Sequence, residues 1–399
     1  MLAIKNGKLV TIANGIIENG TILIENGKIV AIGKDVSIPE GAQVIDATNK
    51  WVTPGLIDAH AHIGLFGEPS IWANNDGNEM TAPVTAQIRG IDSLNPQDMA
   101  FPMVVAAGVT TVYTGPGSAN IIGGTGVAIK LRGRTVEEMV IPGTEGMKMA
   151  LGENPKRVYG ETRKVMPSTR MGNAAVLREA LVKAQNYMNK IEQAKEEAAK
   201  EGKTPKLPDR DLQLEALAKV LRREMKARIH CHRADDIMTA IRIAEEFNLD
   251  YVIEHCTEGW KIADILAAKK VRATVGPNLL AAHKMELIDV NHGNAGILAK
   301  AGVKVAIQVD SSSETKWLPV HAGIMVREGM PEEEAWKAIT INPAEILGIA
   351  DRVGSLEVGK DADIAIFDGH PMCNFTHCEK TIIDGVIVHD RDKKCDCCK

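Results

Sequence analysis

The sequence predicts an α/β protein, a (β/α)8 TIM barrel carrying a small β-sandwich-like domain built from both chain ends. Three observations lead there. β-forming runs punctuated by Asn-Gly and Asp-Gly pairs occupy the two ends. Between them, apolar strand-like runs alternate with segments of helical period, the pattern of parallel βα units rather than of a sandwich. Chemically distinctive side chains recur at the ends of those runs, as a barrel that gathers its strand termini on one face requires.

At the N-terminal end, Ala3-Ile4-Lys5, Lys8-Leu9-Val10, Ile22-Leu23-Ile24-Glu25 and Lys28-Ile29-Val30 read as strands, with Asn6-Gly7 and Asn26-Gly27 as turns. Asn-Gly between apolar runs is a strong hairpin signal because both turn residues take positive φ. The same grammar returns in Thr381-Ile382-Ile383, Asp384-Gly385 and Val386-Ile387-Val388, after a strand-like run from Ala362 to Phe367. Residues 1–51 and 350–392 are therefore expected to form one small β domain, with the termini near each other.

Residues 52–349 are assigned to the barrel. Its clearest unit runs from Ala227-Arg228-Ile229-His230 through a helix starting at Asp235-Asp236, with Ile237, Ala240, Ile241, Ala244 and Phe247 on one face, to the strand Asp250-Tyr251-Val252-Ile253. Further strands are expected near Thr110 to Tyr113, Val127 to Leu131, Val271 to Val275 and Val303 to Gln308. A helical insertion is placed at about 153–226, where Glu and Lys mix along long helices broken by Lys203-Thr204-Pro205-Lys206-Leu207-Pro208; it reads as a solvated excursion. Residues 393–399 form a Cys-rich tail.

Composition narrows the function. Forty-seven basic against 52 acidic residues give a formal charge of −5, which argues against a nucleic-acid or anionic-membrane partner. With 45% hydrophobic and 25% charged residues, the 399-residue chain reads as globular. No apolar stretch approaches the length of a membrane span or a secretion signal. Seven cysteines, an odd number with three crowded into the tail, suit a reducing cytoplasm better than a disulfide framework. A small-molecule substrate is the expected partner, with homo-oligomerisation open.

The chemistry concentrates in Asp58-Ala59-His60-Ala61-His62, which follows the apolar run Trp51 to Ile57. Two histidines two residues apart on a strand face the same way, and two imidazoles on one face can ligate one metal ion. His230 and His255 end consecutive strands, and Asp310 ends Val305-Ala306-Ile307-Gln308-Val309. Four histidines and a carboxylate at barrel strand ends make a metal-ligand set.

With these residues in place, the sequence resembles the amidohydrolase superfamily, in particular its imidazolonepropionase-related and prolidase-like metal-dependent hydrolase branch. The resemblance covers nearly the whole chain: Val52-Thr53-Pro54-Gly55-Leu56-Ile57-Asp58-Ala59-His60-Ala61-His62 opens the barrel as that family does. Asn342-Pro343-Ala344 and the segment Val353-Gly354-Ser355-Leu356-Glu357-Val358-Gly359-Lys360-Asp361-Ala362-Asp363 look like its closing part.

The resemblance implies His60 and His62 on the more buried metal, His230 and His255 on the second, and Asp310 as both ligand and proton carrier. In binuclear members a carboxylated lysine bridges the ions. Lys148, in Glu145-Gly146-Met147-Lys148-Met149-Ala150, is the candidate for such an N6-carboxylysine; the alternative is that it pairs with Glu145 or Glu153 and the site holds one ion. Zinc is the first choice of divalent metal, with Fe, Mn and Co compatible with the same donors.

Lesser signals point to substrate contacts. Asn120 lies in the glycine-dense segment 115–126, His232 and Arg233 follow His230 on the next loop, and His283 follows the seventh strand. Arg233 suits a carboxylate clamp. Cys395, Cys397 and Cys398, with Cys373, His377 and Cys378, have the chemistry of a soft-metal site.

The expected activity is hydrolysis of a C-N bond in an amide, cyclic amide or dipeptide. Two alternatives stand beside it. A mononuclear deaminase of aminated rings lacks its expected carboxylate just after His230, where Cys231-His232-Arg233-Ala234 stands. A non-catalytic, metal-poor barrel acting as a scaffold or binding protein is the other.

Overall fold

The computed structural model describes residues 1–393, so the tail cysteines Cys395, Cys397 and Cys398 lie outside the described residues. Both chain ends contribute to one eight-stranded sheet: five strands between Leu2 and Pro54, joined by Ile364–Phe367, Cys378–Ile383 and Val386–Asp390. Trp51–Pro54 is the seam. It runs parallel to Leu2–Val10, with Leu9 opposite Val52, and antiparallel to Ile364–Phe367, with Ile366 opposite Val52. The sheet closes on its own core of Ile4, Leu9, Ile22, Val52, Ile364 and Ile382.

Asn26-Gly27 and Asp384-Gly385 make the expected turns, each pair at positive φ. Asn6-Gly7 does not. Leu2–Val10 is one continuous strand, and the pair forms a bulge inside it, marked by register shifts on both sides of Gly7 and by φ 62° at Asn6. A Cβ at Gly7 would meet Val52 Cγ2 at 2.6 Å, so glycine is needed there for close packing against the seam rather than for a turn.

At Gly55 the chain leaves this sheet for the barrel. Eight barrel strands follow in sequence order around a nearly closed sheet: Leu56–Ala61, Val109–Thr114, Ile122–Lys130, Gly146–Ala150, Lys226–Cys231, Tyr251–His255, Arg272–Val275 and Lys304–Ile307. Asp58 links the first strand to the chain leaving the last, accepting hydrogen bonds from His60 N at 2.9 Å and Val309 N at 3.0 Å.

The barrel departs from the all-parallel expectation in its third strand. Ile122–Lys130 runs antiparallel to both neighbours, with Tyr113 opposite Ala128 and Gly124 opposite Lys148. Connection length is the reason: only residues 115–121 separate the second and third strands, too few for the crossover of a dozen or more residues that a parallel return needs. The glycine-rich segment is thus a hairpin loop at the end where the other strands finish. The third strand carries Lys130 to the opposite end, against the terminal sheet.

The insertion is helical, chiefly Arg170–Glu201 and Leu212–Leu221. Thr169 caps the first helix by accepting from Gly172 N, and Asp211 caps the second through Gln213 N and Leu214 N. Ala174, Leu177, Leu181 and Ala184 bury one stripe of the long helix. Arg170, at its start, pairs with Asp236 on the helix Ala234–Glu246 at 2.9 Å and ties the insertion to the barrel.

Candidate active site

His60 and Asp310 meet at the barrel mouth. His60 Nε2 and His62 Nε2 each lie 3.0 Å from Asp310 Oδ1, so donors from the first strand and from the chain after the eighth converge on one point. Each ring is fixed from behind, as metal-binding imidazoles are. His62 Nδ1 lies 2.7 Å from the Gly115 carbonyl, and His60 Nδ1 lies 2.9 Å from Glu254 Oε1. His62, donating from Nδ1, presents the lone pair of Nε2, the tautomer a cation requires, while His60 Nδ1 faces the Glu254 carboxylate in a close ionic contact.

His230 and His255 form a second group with His232, each offering one nitrogen within 4.8 Å of the others. His255 Nδ1 donates to the Gly276 carbonyl at 2.9 Å, and His232 Nδ1 lies 2.7 Å from Thr257 Oγ1. Both nitrogens of buried His230 are without a hydrogen-bond partner among the described residues. A buried orphan imidazole is costly unless something else satisfies it, and a cation does so. The donor chemistry therefore fits a divalent ion. His255 and Asp310 hold positive φ of 68° and 59°, the kind of backbone strain that collects at functional sites.

Burial drives His230 and His232 well below the ordinary imidazole range, and His255 down to about 3, so all three are neutral and ready to donate lone pairs. Burial also works against the Asp310 charge. It is outweighed by the His255, His60 and His62 rings gathered around its two oxygens, which hold the carboxyl well below its usual value. Burial pushes Asp58 up to about 7 despite the two backbone N–H groups it accepts.

Lys148 reaches this centre from the fourth strand. Its Nζ lies 2.6 Å from Glu254 Oε2 and 3.4 Å from His60 Nε2. Glu254 also accepts from Arg228 Nε at 2.7 Å, and Arg228 stacks over the Tyr113 ring at 3.8 Å and donates to the Ala59 carbonyl. Lys148, Glu254, Arg228 and His60 thus form a buried ionic layer beneath the histidines.

The structure places the other anticipated residues differently. Asn120 is buried: its amide donates to the Glu79 carbonyl and Thr85 Oγ1, both at 2.7 Å, and its oxygen accepts from Tyr159 OH at 2.6 Å. Arg233 lies at the surface in a two-pronged pair with Asp235. His283 is exposed, its ring 3.1 Å from the Ala281 carbonyl of its own loop. His232 belongs with the histidines.

Sequence reasoning passed over Glu254, Lys284 and Glu286. Lys284 Nζ sits 3.0 Å from His232 Nε2 and 2.8 Å from Glu286 Oε1, and Glu286 is fully buried. The available signal for Glu254 was a carboxylate between the apolar pair Val252-Ile253 and His255 in a buried strand.

A sequence profile of the amidohydrolase family matches residues 51–391. The chain is 45% identical to a crystallographically determined amidohydrolase from Thermotoga maritima, with a TM-score of 0.91 over 98% of this chain and 100% of that one. A prolidase complexed with N-methylphosphonate-L-proline shares the fold at 17% identity, with a TM-score of 0.58 over 98% and 99% of the two chains. An imidazolonepropionase of Maricaulis maris is 27% identical over 89% of this chain and 88% of its own. The amidohydrolase tasK of Hapsidospora irregularis is 28% identical over 88% of this chain, which spans only 38% of that relative. With the profile covering most of the chain and the Thermotoga protein matched end to end, this protein belongs to the amidohydrolase family, enzymes that act on carbon–nitrogen bonds.

Proposed function

We propose that the protein hydrolyses an amide bond, cyclic or dipeptide-like, with the help of a divalent cation held by His60, His62 and Asp310. The observation that carries this reading is the convergence of His60 Nε2 and His62 Nε2 on Asp310 Oδ1, each at 3.0 Å. The printed activities of similar proteins, imidazolonepropionase and prolidase, support the amide class. A divalent ion at such a site supplies Lewis acidity toward the scissile carbonyl and lowers the pKa of water.

The chain's own groups do the rest. Asp310 is ionised, so it can take a proton from the attacking water. It then carries that proton to the leaving nitrogen, which departs as a neutral amine or amide. Glu254 fixes the His60 ring, and the Gly115 carbonyl fixes His62. The donors are compatible with Zn, Fe, Mn or Co. We place the protein in the cytoplasm on its unpaired buried thiols, Cys231, Cys256 and Cys378; no helix among the described residues is long and apolar enough to cross a membrane.

The test is a screen of metal-loaded protein against N-acyl amino acids, dipeptides, hydantoin-like rings and imidazolones. Hydrolysis of at least one class, lost on chelation and restored by the added metal, is the expected result. Absence of turnover on every class by fully loaded protein would reject the proposal.

A further inference from the structure

We infer that Cys373 and His377, with Cys395 and Cys398 of the same chain, form a structural zinc site in the groove between the terminal sheet and the helix Ala100–Val105. The inference is independent of the proposed function.

The two donors among the described residues belong to one loop. Asp368 N donates to the His377 carbonyl at 3.1 Å and closes the loop. Within it, Thr376 N donates to the Cys373 carbonyl at 3.0 Å, so a turn carries Cys373 on one flank and His377 on the other. The three residues between them match the spacing of paired zinc donors. Cys373 is an exposed thiol in no disulfide among the described residues. His377 Nδ1 lies 3.4 Å from Asp368 Oδ2, which leaves Nε2 for an ion; a carboxylate behind an imidazole is the usual support of a metal ligand.

Both side chains line a groove of about 330 Å³ shared with Met103, Trp317, His389 and Arg391. Arg391 also donates to Asp368 Oδ2 at 3.1 Å, so the chain passes this loop just before the last described residue, Lys393. The four residues from Arg391 to Cys395 reach up to about 14 Å when extended. The segment Lys394-Cys395-Asp396-Cys397-Cys398-Lys399 is rich in thiols, and Cys395 and Cys398 have the two-residue spacing common in zinc sites. Neighbouring Arg391, Lys393 and Lys394 favour their thiolate forms. Cys378 lines the same groove but is no donor: its thiol bonds the Lys380 carbonyl at 3.4 Å, and burial pushes it up to about 12. Three thiolates and one imidazole make a closed tetrahedral set of the kind zinc takes. Such an ion would pin the chain end across the groove and cover Met103 and Trp317, which are 40% and 49% exposed.

The test uses the reduced full chain, with zinc counted by mass spectrometry and cobalt(II) substitution followed by absorption. A thiolate-to-cobalt charge-transfer band reports this site alone, because the donors at the barrel mouth include no thiol. Full-length protein should hold one zinc more than the variant with Cys395, Cys397 and Cys398 all replaced by Ser, and should show the band. Cys373→Ser and His377→Asn, both at exposed positions, should each weaken this ion by at least about tenfold, the lower end of what losing even an outer partner of a metal ligand costs. His62→Ala, in the barrel, should leave the band unchanged. Equal zinc in full-length protein and the triple Ser variant would overturn the inference. So would a band untouched in both Cys373→Ser and His377→Asn, which would show the thiols beyond Lys393 binding metal without the loop.

Discussion

Glu254 Oε1 lies 2.9 Å from His60 Nδ1, joining the sixth barrel strand to the first beneath the histidines. The same carboxylate meets Lys148 and Arg228, so a single side chain orients an imidazole and balances two buried cations. Burial works against its charge, but His60, Lys148 and Arg228 together hold Glu254 well below the usual carboxylate range.

Glu254→Gln should therefore act twice. Carboxylates behind metal-binding histidines typically contribute about 10- to 100-fold in metal affinity, and a loss in that range is expected. Leaving Lys148 and Arg228 without their shared anion should also cost about 3–5 kcal/mol of stability. Equilibrium metal titration and urea unfolding separate the effects. An unchanged affinity with lowered stability would confine Glu254 to a purely structural role.

The legible part of the site is the part whose function is written in strand ends. His60, His62, His230, His255 and Asp310 each close an apolar run, and a barrel brings such positions together. Apart from Glu254 on the sixth strand, what escaped sequence reasoning came from a loop reaching across the mouth. Lys284 and Glu286 sit on the long connection after the seventh strand, where no periodicity shows which side chains turn inward. Arg233 looked like a clamp because it follows the histidines, yet Asp235 two residues later offers it a partner at the surface. In the fold, the βα rhythm was readable except at the third strand, where the brevity of residues 115–121 was the neglected clue.

Asp310→Asn should reduce kcat by about a hundred- to ten-thousandfold, the usual contribution of a positioned proton carrier. Asparagine keeps the size and an oxygen at that point, and His60 and His62 are held from behind by Glu254 and the Gly115 carbonyl, so both rings should remain in place. The check is kcat together with metal content. A near-normal rate in protein with full metal content would remove Asp310 from proton transfer.

Asn120→Ala should lower stability and leave substrate recognition alone. The substitution strands the Glu79 carbonyl, Thr85 Oγ1 and Tyr159 OH, which Asn120 now satisfies. Buried groups left unpaired cost about 1–3 kcal/mol each, so a clear fall in unfolding free energy is expected. KM for whichever substrate the screen identifies should not change in the folded fraction. A raised KM at unaltered stability would return Asn120 to the substrate.

The junction between barrel and terminal sheet should set a pH dependence of stability. Lys130 Nζ lies 2.8 Å from Asp361 and 3.1 Å from Asp363 and also contacts Asp384. Asp361 and Asp363 respond oppositely. Burial raises Asp361, but hydrogen bonds from Lys130 and Lys28 prevail and bring it to about 2. Burial raises Asp363 to about 6 in spite of Lys130, and its Oδ2 has no partner among the described residues. A carboxyl whose folded pKa is depressed adds stability above its unfolded value near 3.8, and that stability is lost as pH falls toward 2. A carboxyl whose folded pKa is raised does the reverse: its contribution is complete below 3.8 and disappears as pH climbs through about 6. Between those values Asp363 alone of the pair titrates, so stability should decline with rising pH there. Asp363→Asn should flatten that part of the profile, whatever its effect on absolute stability, because an amide binds no proton in either state. Urea unfolding of both proteins across the interval measures the slope directly, and parallel curves would rule out Asp363 as its source.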